Sequence, residues 1–274
     1  MLGSRIQRAR KASGLSLREL GDRVQLSHAG IKKYEDSEAT PSSDMLIKLA
    51  KALNVRVEYF FRPDRFTLEK IQYRKHADIS DRDLEEITAK ILDQIERRVE
   101  LESMFPLPPI AEFSMTPKKI TGYDDIENVA DNIRKQWKLG IEPIPDLIDI
   151  FEEHGIKVFE IDNQQYPKFD GLSATINKMP IIVIGNQWPG DRQRFTLAHE
   201  LGHLVLHGTF HPDLDEEKCC DRFAGAFLMP KEVLANIIGA HRNFIEPREL
   251  AILKQEFGVS MLSILHRAED TGII

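Results

Sequence analysis

The run Ala198-His199-Glu200-Leu201-Gly202-His203 constrains the fold of this chain more than any other part of its sequence. On a helix, one turn separates the two histidines, so both imidazoles leave the same face and can hold one cation. Glu200 stands beside the first histidine, where its carboxylate can reach a metal-bound water as a general base. The spacing therefore predicts a helix that carries a zinc site of the hydrolase type.

The surroundings of the motif distinguish a metal site from two surface histidines. Apolar residues flank and interleave it: Phe195, Leu197, Ala198, Leu201, Leu204, Val205 and Leu206. In a helix buried on most sides, two imidazoles and a carboxylate are costly to desolvate, and a bound cation removes that cost. Gly202 costs an exposed helix about 1 kcal/mol, so its presence predicts the close approach of another backbone or of substrate.

The third zinc ligand has several candidates. Two histidines leave a tetrahedral zinc in need of one more protein ligand and one open position for water. A helix over residues 214–228 places Glu217 and Asp221 on one face, so Glu217 can ligate zinc while Asp221 orients a ligating histidine. Cys219, whose thiolate is a good zinc ligand, and His207, near the end of the motif helix, remain open as alternatives.

Charge is unevenly distributed along the 274 residues, which carry a formal net charge of −7. Residues 1–65 hold 13 Lys and Arg against 8 Asp and Glu, whereas the remainder holds 24 against 36. The negative total argues against a protein coated in nucleic acid, but the front of the chain is basic. The length is sufficient for two modest domains, each with its own core.

Cysteine use and hydropathy indicate the cellular compartment. Cys219 and Cys220 are the only cysteines, and sequence neighbours rarely bridge, so no disulfide framework is expected. The first twenty residues do not resemble a signal peptide, and no apolar run approaches the roughly 20 residues of a membrane span. We therefore expect a soluble cytoplasmic protein with no membrane partner.

The basic front has the pattern of four short amphipathic helices. Ile6 and Ala9 mark the first, Ser16 and Ser27 can cap the second and third, and Asp44 opens the fourth. This segment resembles the Xre (lambda-repressor-like) helix-turn-helix family in four stretches: Arg5-Ile6-Gln7-Arg8-Ala9-Arg10, Leu15-Ser16-Leu17-Arg18-Glu19-Leu20, Ile31-Lys32-Lys33-Tyr34-Glu35 and Thr40-Pro41-Ser42. We therefore expect an all-α DNA-binding domain.

The resemblance implies that residues 27–34 form a recognition helix in the major groove of double-stranded DNA. Six side chains are implied to contact DNA: His28, Ala29 and Lys32 at the bases, and Arg18, Ser27 and Lys33 at the phosphates. Two-fold dimers usually read such operators, so a homodimer is expected. The alternative, an ordinary solvated face, is disfavoured by the basic charge of the segment.

A long helix is predicted after the first domain. Ser80 and Asp83 supply a helix start, and an apolar stripe follows at three- and four-residue steps: Leu84, Ile87, Ile91, Ile95 and Val99. The stripe needs a partner, either the C-terminal domain or a second chain. Pro106-Leu107-Pro108-Pro109 then interrupts the helical pattern and marks the end of the linker. We therefore expect a helix-turn-helix domain over 1–65, a helical linker over 66–110 and a metal-binding domain over 111–274.

The last segment predicts an α+β domain. Helical periodicity and strand patterns alternate before the motif, with helices over 124–137 and 145–154 and strands over 156–161, 172–176 and 180–184. From about residue 124 to 237 the chain resembles the ImmA/IrrE metallopeptidase family. The resemblance is carried by residues 194–203, by the acid of the next helix and by Phe223-Ala224-Gly225-Ala226-Phe227-Leu228-Met229-Pro230.

This second resemblance implies a zincin-like fold that cleaves repressor-type proteins, with zinc held by His199, His203 and Glu217 and with Glu200 as base. Arg194 and His207 are close enough in sequence to be tested as partners of the oxyanion. The chain is thus expected to be a DNA-binding transcriptional regulator joined to a zinc metalloendopeptidase that cleaves a protein. The alternative is a non-catalytic repressor or toxin–antitoxin component whose zinc domain acts as a sensor or interaction module.

Overall fold

A computed structural model of the chain describes residues 2–63, 72–73, 79–105 and 119–274. These residues form two compact units, which we treat separately. The N-terminal unit comprises 2–63 and 79–105, and the C-terminal unit comprises 72–73 and 119–274. The expected boundaries at 65/66 and 110/111, and the proline-rich break at 106–109, lie outside the described residues.

The N-terminal unit is all helical. Its elements are α1 (Leu2–Ala12), α2 (Leu17–Val24), α3 (His28–Glu35), α4 (Ser43–Ala52), a 3₁₀ helix (Val57–Phe61) and α5 (Asp81–Ser103). Serine hydroxyls accept a bond from the backbone at the starts of α2, α3, α4 and α5, which satisfies amide groups that a helix leaves unpaired. The fourth helix begins at Ser43 with Ser42 as its cap, one residue earlier than Asp44 predicted.

The apolar stripe of α5 has a different partner from the two that the sequence suggested. Ile87, Ile91 and Ile95 are buried, and α5 packs against α1 within the N-terminal unit. Arg5 and Arg8 of α1 each donate to the buried carboxylate of Glu96 at 2.6 Å. The sequence pattern showed that one face of α5 is covered, but it could not show that α1 supplies the cover.

The C-terminal unit is α+β, as predicted. Its strands are β1 (Gln72–Tyr73), β2 (Lys157–Ile161), β3 (Gly171–Ile176) and β4 (Met179–Gly185), and its helices are α6 (Tyr123–Gln136), α7 (Leu147–Glu153), α8 (Gly190–Leu206), α9 (Glu216–Leu228), α10 (Lys231–Ile238), α11 (Pro247–Phe257) and α12 (Met261–Asp270). The sheet order is β1-β3-β4-β2, with β2 parallel to β4 and the other pairs antiparallel.

Among the described residues of both units, no helix is long and apolar enough to cross a membrane.

Two glycines let α8 pack closely between the sheet and α9. A Cβ atom on Gly171 of β3 would lie 2.7 Å from Thr196 Cγ2 and 3.2 Å from Glu200 Cγ. A Cβ atom on Gly202 would lie 3.3 Å from the Cα atom of Cys220, so the close backbone approach predicted for this glycine is confirmed. The motif helix is therefore held on two sides, and its side chains have fixed directions.

Candidate metal centre and DNA-binding surface

Three metal-donor atoms converge where α8 packs against α9. His199 Nε2 lies 3.1 Å from His203 Nε2, and the two carboxylate oxygens of Glu217 lie 3.3 and 3.4 Å from these nitrogens. Within the described part of the chain, this is the one group of three or more His, Cys, Asp or Glu donors with a shared centre. Two imidazoles and a carboxylate form a donor set that suits a divalent metal ion.

Each histidine also contacts a carboxylate through its other ring nitrogen. Asp221 Oδ1 lies 2.8 Å from His199 Nδ1, and Glu216 Oε1 lies 3.2 Å from His203 Nδ1. A carboxylate that accepts an Nδ1 proton leaves Nε2 free to bind a metal and fixes the plane of the ring. The geometry therefore presents both Nε2 atoms to the shared centre.

The electrostatics of the centre favour a cation. Burial lowers the pKa of His199, but hydrogen bonds to Asp221 and Glu217 outweigh burial and raise that pKa to about 10. Hydrogen bonds from His199 and His203 hold the pKa of Glu217 well below its usual range. Positive charge at this point is thus stabilised by the surrounding carboxylates, and a bound metal ion would supply it.

Glu200 is fully buried next to this centre, with 0% of its surface exposed. It lines a cleft of about 240 Å³ whose other lining residues are Asp170, Arg192, Phe195, Thr196, His199, Glu217 and Asp221. The cleft is open to solvent. A carboxylate that lines the same cleft as the metal donors is a candidate general base.

The alternative third ligands lie outside the donor group. Helix α8 ends at Leu206, and His207 has an extended backbone, so it does not continue the face of His199 and His203. Cys219 follows Glu217 by two residues, which turns its side chain about 200° away around the helix. Its thiol is buried in the core of the C-terminal unit, where burial raises its pKa.

Arg194, one of the two residues suggested as oxyanion partners, has a structural role. Its guanidinium donates to the carbonyl of Ile144, and its side chain packs beside Gly258. Arg192 lines the cleft instead. Its guanidinium lies 3.7 Å over the ring of Trp188 and donates to both carboxylate oxygens of Asp170, at 2.6 and 2.9 Å.

Sequence reasoning missed Arg192 and Glu216. Arg192 stands seven residues before His199, two helical turns away on the same face, and this spacing could have identified it. Glu216 had no such signal, because an acid in the first turn of a helix is ordinary. The second histidine therefore has a carboxylate partner that only the packing of α9 on α8 reveals.

The second functional surface lies on α2 and α3. All six residues expected to contact DNA are exposed: Arg18, Ser27, His28, Ala29, Lys32 and Lys33. The turn between the helices is tight, because a Cβ atom on Gly21 would lie 2.5 Å from the carbonyl oxygen of Leu26. The first residues of α3 are thus presented on a compact helix-turn-helix.

Local bonds affect two of these residues. Ser27 Oγ accepts a bond from the Gly30 amide at 3.1 Å, which leaves its hydroxyl proton for another acceptor. Lys32 Nζ lies 2.6 Å from Asp36 Oδ1, and this exposed pair can exchange for contacts with a ligand at little cost.

Part of the positive charge of the N-terminal unit is internal. Arg10 forms a two-point ion pair with the carboxylate of Glu35, at 2.6 and 2.9 Å, and Arg5 and Arg8 are paired with Glu96. These three arginines hold helices together. The charge available to a nucleic acid is therefore concentrated on the exposed cations, including Arg18, Lys32 and Lys33.

The fold and the donor group define the class of protein: a helix-turn-helix DNA-binding domain joined to a metallopeptidase domain. Comparison with known families agrees. Residues 6–60 match the Helix-turn-helix family, and residues 151–269 match the IrrE N-terminal-like domain. Both resemblances seen in the sequence are thus confirmed, and a metallopeptidase domain of this family implies a metal cofactor.

Individual relatives match parts of the chain. The radiation response metalloprotease IrrE of Deinococcus radiodurans is 34% identical over 99 residues, which cover 31% of this chain and 30% of the relative. IrrE of Deinococcus deserti is 35% identical over 106 residues, 34% of this chain and 37% of the relative. The HTH-type transcriptional regulator ImmR of Bacillus subtilis is 23% identical over 93 residues, 34% of this chain and 69% of the relative. The chain thus spans about a third of the length of the two metalloproteases.

Proposed function

We propose that the chain is a DNA-binding transcriptional regulator whose C-terminal domain is a zinc endopeptidase that cuts a partner protein. The observation that carries this proposal is the convergence of His199, His203 and Glu217 beside the buried Glu200. The separations support zinc, because bonds of about 2.0 to 2.1 Å in a tetrahedral site require ligand atoms about 3.3 Å apart. His199 Nε2 and His203 Nε2 lie 3.1 Å apart, one Glu217 oxygen lies 3.3 Å from the first nitrogen, and the other oxygen lies 3.4 Å from the second.

Zinc and the residues of the cleft have separate roles in the proposed hydrolysis. When bound, zinc lowers the pKa of its water toward neutrality and polarises the scissile carbonyl. Glu200 accepts the proton of the attacking water and delivers it to the departing amine. Asp221 and Glu216 keep the two imidazoles in their ligating orientation.

The non-catalytic alternative has less support. A closed structural zinc needs a fourth protein ligand, and Cys219, the thiol suggested for that position, is buried on another face of α9. Three protein donors leave one position for water, as catalytic zinc sites do. A structural zinc also has no use for a buried carboxylate beside its ligands, whereas a peptidase requires one.

Two substitutions test the peptidase proposal. Purified protein should contain about one zinc per chain by mass spectrometry of metals, and His199→Ala should lose it. Glu200→Gln should retain zinc and lose proteolysis by at least about a thousandfold, because the base is gone while the ligands stay.

A second experiment identifies the cleaved protein. The proteome of cells that express the wild type is compared with the proteome of cells that express Glu200→Gln. If the two proteomes were equal, the non-catalytic sensor would be favoured. If the purified protein contained no zinc, both the peptidase and the zinc-dependent sensor would be contradicted.

We further propose that the regulator binds double-stranded DNA as a homodimer in the cytoplasm. Base contacts are assigned to His28, Ala29 and Lys32, and phosphate contacts to Arg18, Ser27 and Lys33, all of which are exposed. The two cysteines are free and buried, which fits a reducing compartment. Genome-wide mapping of the bound DNA tests the proposal, and a two-fold symmetric operator is the expected result.

A further inference from the structure

A second cavity adjoins the metal cleft in the C-terminal unit. It lies between α6, α8, α9 and α12 and has a volume of about 570 Å³. Phe195 and Asp221 line both the cavity and the cleft, so the two spaces are neighbours. A ligand held at the metal donors therefore lies next to the cavity.

The two arginines that line the cavity are bound to carboxylates, whereas Lys218, which also lines it, is exposed. Arg267 is buried and donates to both carboxylate oxygens of Glu127, at 2.5 and 2.7 Å. Arg222 bonds to Glu127 at 2.5 Å and contacts Asp270 at 3.0 Å. Because both guanidiniums are bound to internal carboxylates, and share Glu127, a charged ligand would have to displace an internal partner to gain a strong contact with either of them.

Beside polar residues such as Ser263 and His266, the cavity has apolar walls that are partly exposed to solvent. Leu262 of α12 is 62% exposed and Tyr123 of α6 is 41% exposed, and Phe195 completes the apolar lining. Gly225 lies opposite α12, where a Cβ atom would already be 3.3 Å from Arg267 Cδ. An apolar group that enters this space removes water from several side chains at once, which is the main source of affinity in such pockets.

We propose that this cavity binds a large apolar side chain, aromatic or branched aliphatic, of the protein substrate close to the bond that is cut. The inference rests on the proposed peptidase function and names the specificity of the same site. Asp221 bonds His199 and also lines the cavity, so a peptide bond placed at the metal centre brings a neighbouring side chain to the entrance. Leu262 is the residue that we assign to specificity.

Zinc-chelating probes test this assignment without relying on turnover. Tripeptide hydroxamates, in which each residue in turn is phenylalanine or glycine, are titrated into the zinc-loaded full-length protein by calorimetry. At one position, phenylalanine should bind at least about tenfold more tightly than glycine. Leu262→Glu should abolish this gain. Ile252→Glu should keep it, because Ile252 is also exposed, at 56%, but lies on α11 and does not line the cavity.

The outcomes separate the two proposals. Hydroxamates that bind with the same affinity at every phenylalanine position would overturn the cavity assignment and leave the zinc site intact. A phenylalanine preference that survives Leu262→Glu would also overturn it. If no hydroxamate binds to protein that contains zinc, the accessible catalytic site itself is contradicted.

Discussion

Asp221 is the residue that we propose supports the metal donors without ligating the metal itself. Its carboxylate lies 2.8 Å from His199 Nδ1, while the opposite nitrogen of the same ring points to the donor group. This arrangement fixes the tautomer and raises the basicity of the ligand. Asp221 itself is exposed and also lines the cleft and the neighbouring cavity.

Removal of this carboxylate should therefore weaken metal binding. We expect Asp221→Ala to reduce zinc affinity by about ten- to a hundredfold, and Asp221→Asn, which keeps an acceptor oxygen, to reduce it less. Competition with a chromophoric zinc chelator measures both. Asp213→Ala is the matched control, since Asp213 is an exposed acid beside His211, which is not part of the donor group. Equal affinities for all three variants would contradict the role of Asp221.

The sequence predicts which side chains share one face of a helix, because their spacing along the helix decides it. The spacing of His199 and His203, and of Glu217 and Asp221, sets each pair on one face of a helix. Whether Glu217 or Cys219 lies near the two histidines does not follow from the sequence, because it depends on which face of α9 meets α8. The position of His207 off the face of His199 and His203 follows from the end of α8, and helix ends are the least predictable feature of a pattern.

At the scale of elements, Glu127 joins three helices. It extends from α6 to Arg222 of α9 and Arg267 of α12. Burial raises the pKa of Glu127, but the hydrogen bond and charge of Arg267, together with Arg222, outweigh burial and lower that pKa below its usual value. The ion pairs therefore stabilise the fold while the carboxylate is charged.

The direction of this pKa shift determines how the stability of the fold depends on pH. Because the folded pKa lies below the unfolded one, near 4.3, the contribution is complete above that value and disappears as pH falls through the folded pKa. We expect Glu127→Gln to lower the free energy of unfolding by about 3 kcal/mol at pH 7, with a difference that shrinks below about pH 4. Denaturant titrations followed by tryptophan fluorescence measure it, since Trp137 and Trp188 both lie in the C-terminal unit.

Glu256→Gln provides the control for this experiment. Glu256 is an exposed acid on α11, so its replacement should change the free energy of unfolding by less than about 0.5 kcal/mol at either pH. If Glu127→Gln behaved in the same way, the ion pairs of α6, α9 and α12 would be without net effect on stability.

Most elements of both units were predictable because their periodicity is strong and serine caps mark several helix starts. The helices and side chains against which each element packs were less predictable. The stripe on α5 indicates a covered face but carries no information about the covering helix. The buried arginines of α1 were misleading for the same reason: in the sequence they are indistinguishable from cations that face DNA.

For the whole molecule, electrostatic binding to DNA should depend on the exposed cations alone. We expect Lys33→Ala to weaken binding to a mixed-sequence duplex and to lower the slope of log K against log salt by about one. Fluorescence anisotropy at several salt concentrations measures the slope. Lys168→Ala, an exposed lysine of the C-terminal unit, should leave it unchanged. A slope that is equal in wild type and Lys33→Ala would contradict the phosphate contact.

The pairing of Arg5 and Arg8 with Glu96 also defines the smallest piece of this protein that can be studied alone. A fragment that stops at residue 65 retains both guanidiniums but loses their carboxylate and the isoleucines of α5 that cover α1. Without α5, the face of α1 that it covers is exposed to water, and the ion pairs that join the two helices are lost. A fragment made for crystallisation or operator binding should therefore extend through Ser103, beyond the usual end of a helix-turn-helix domain.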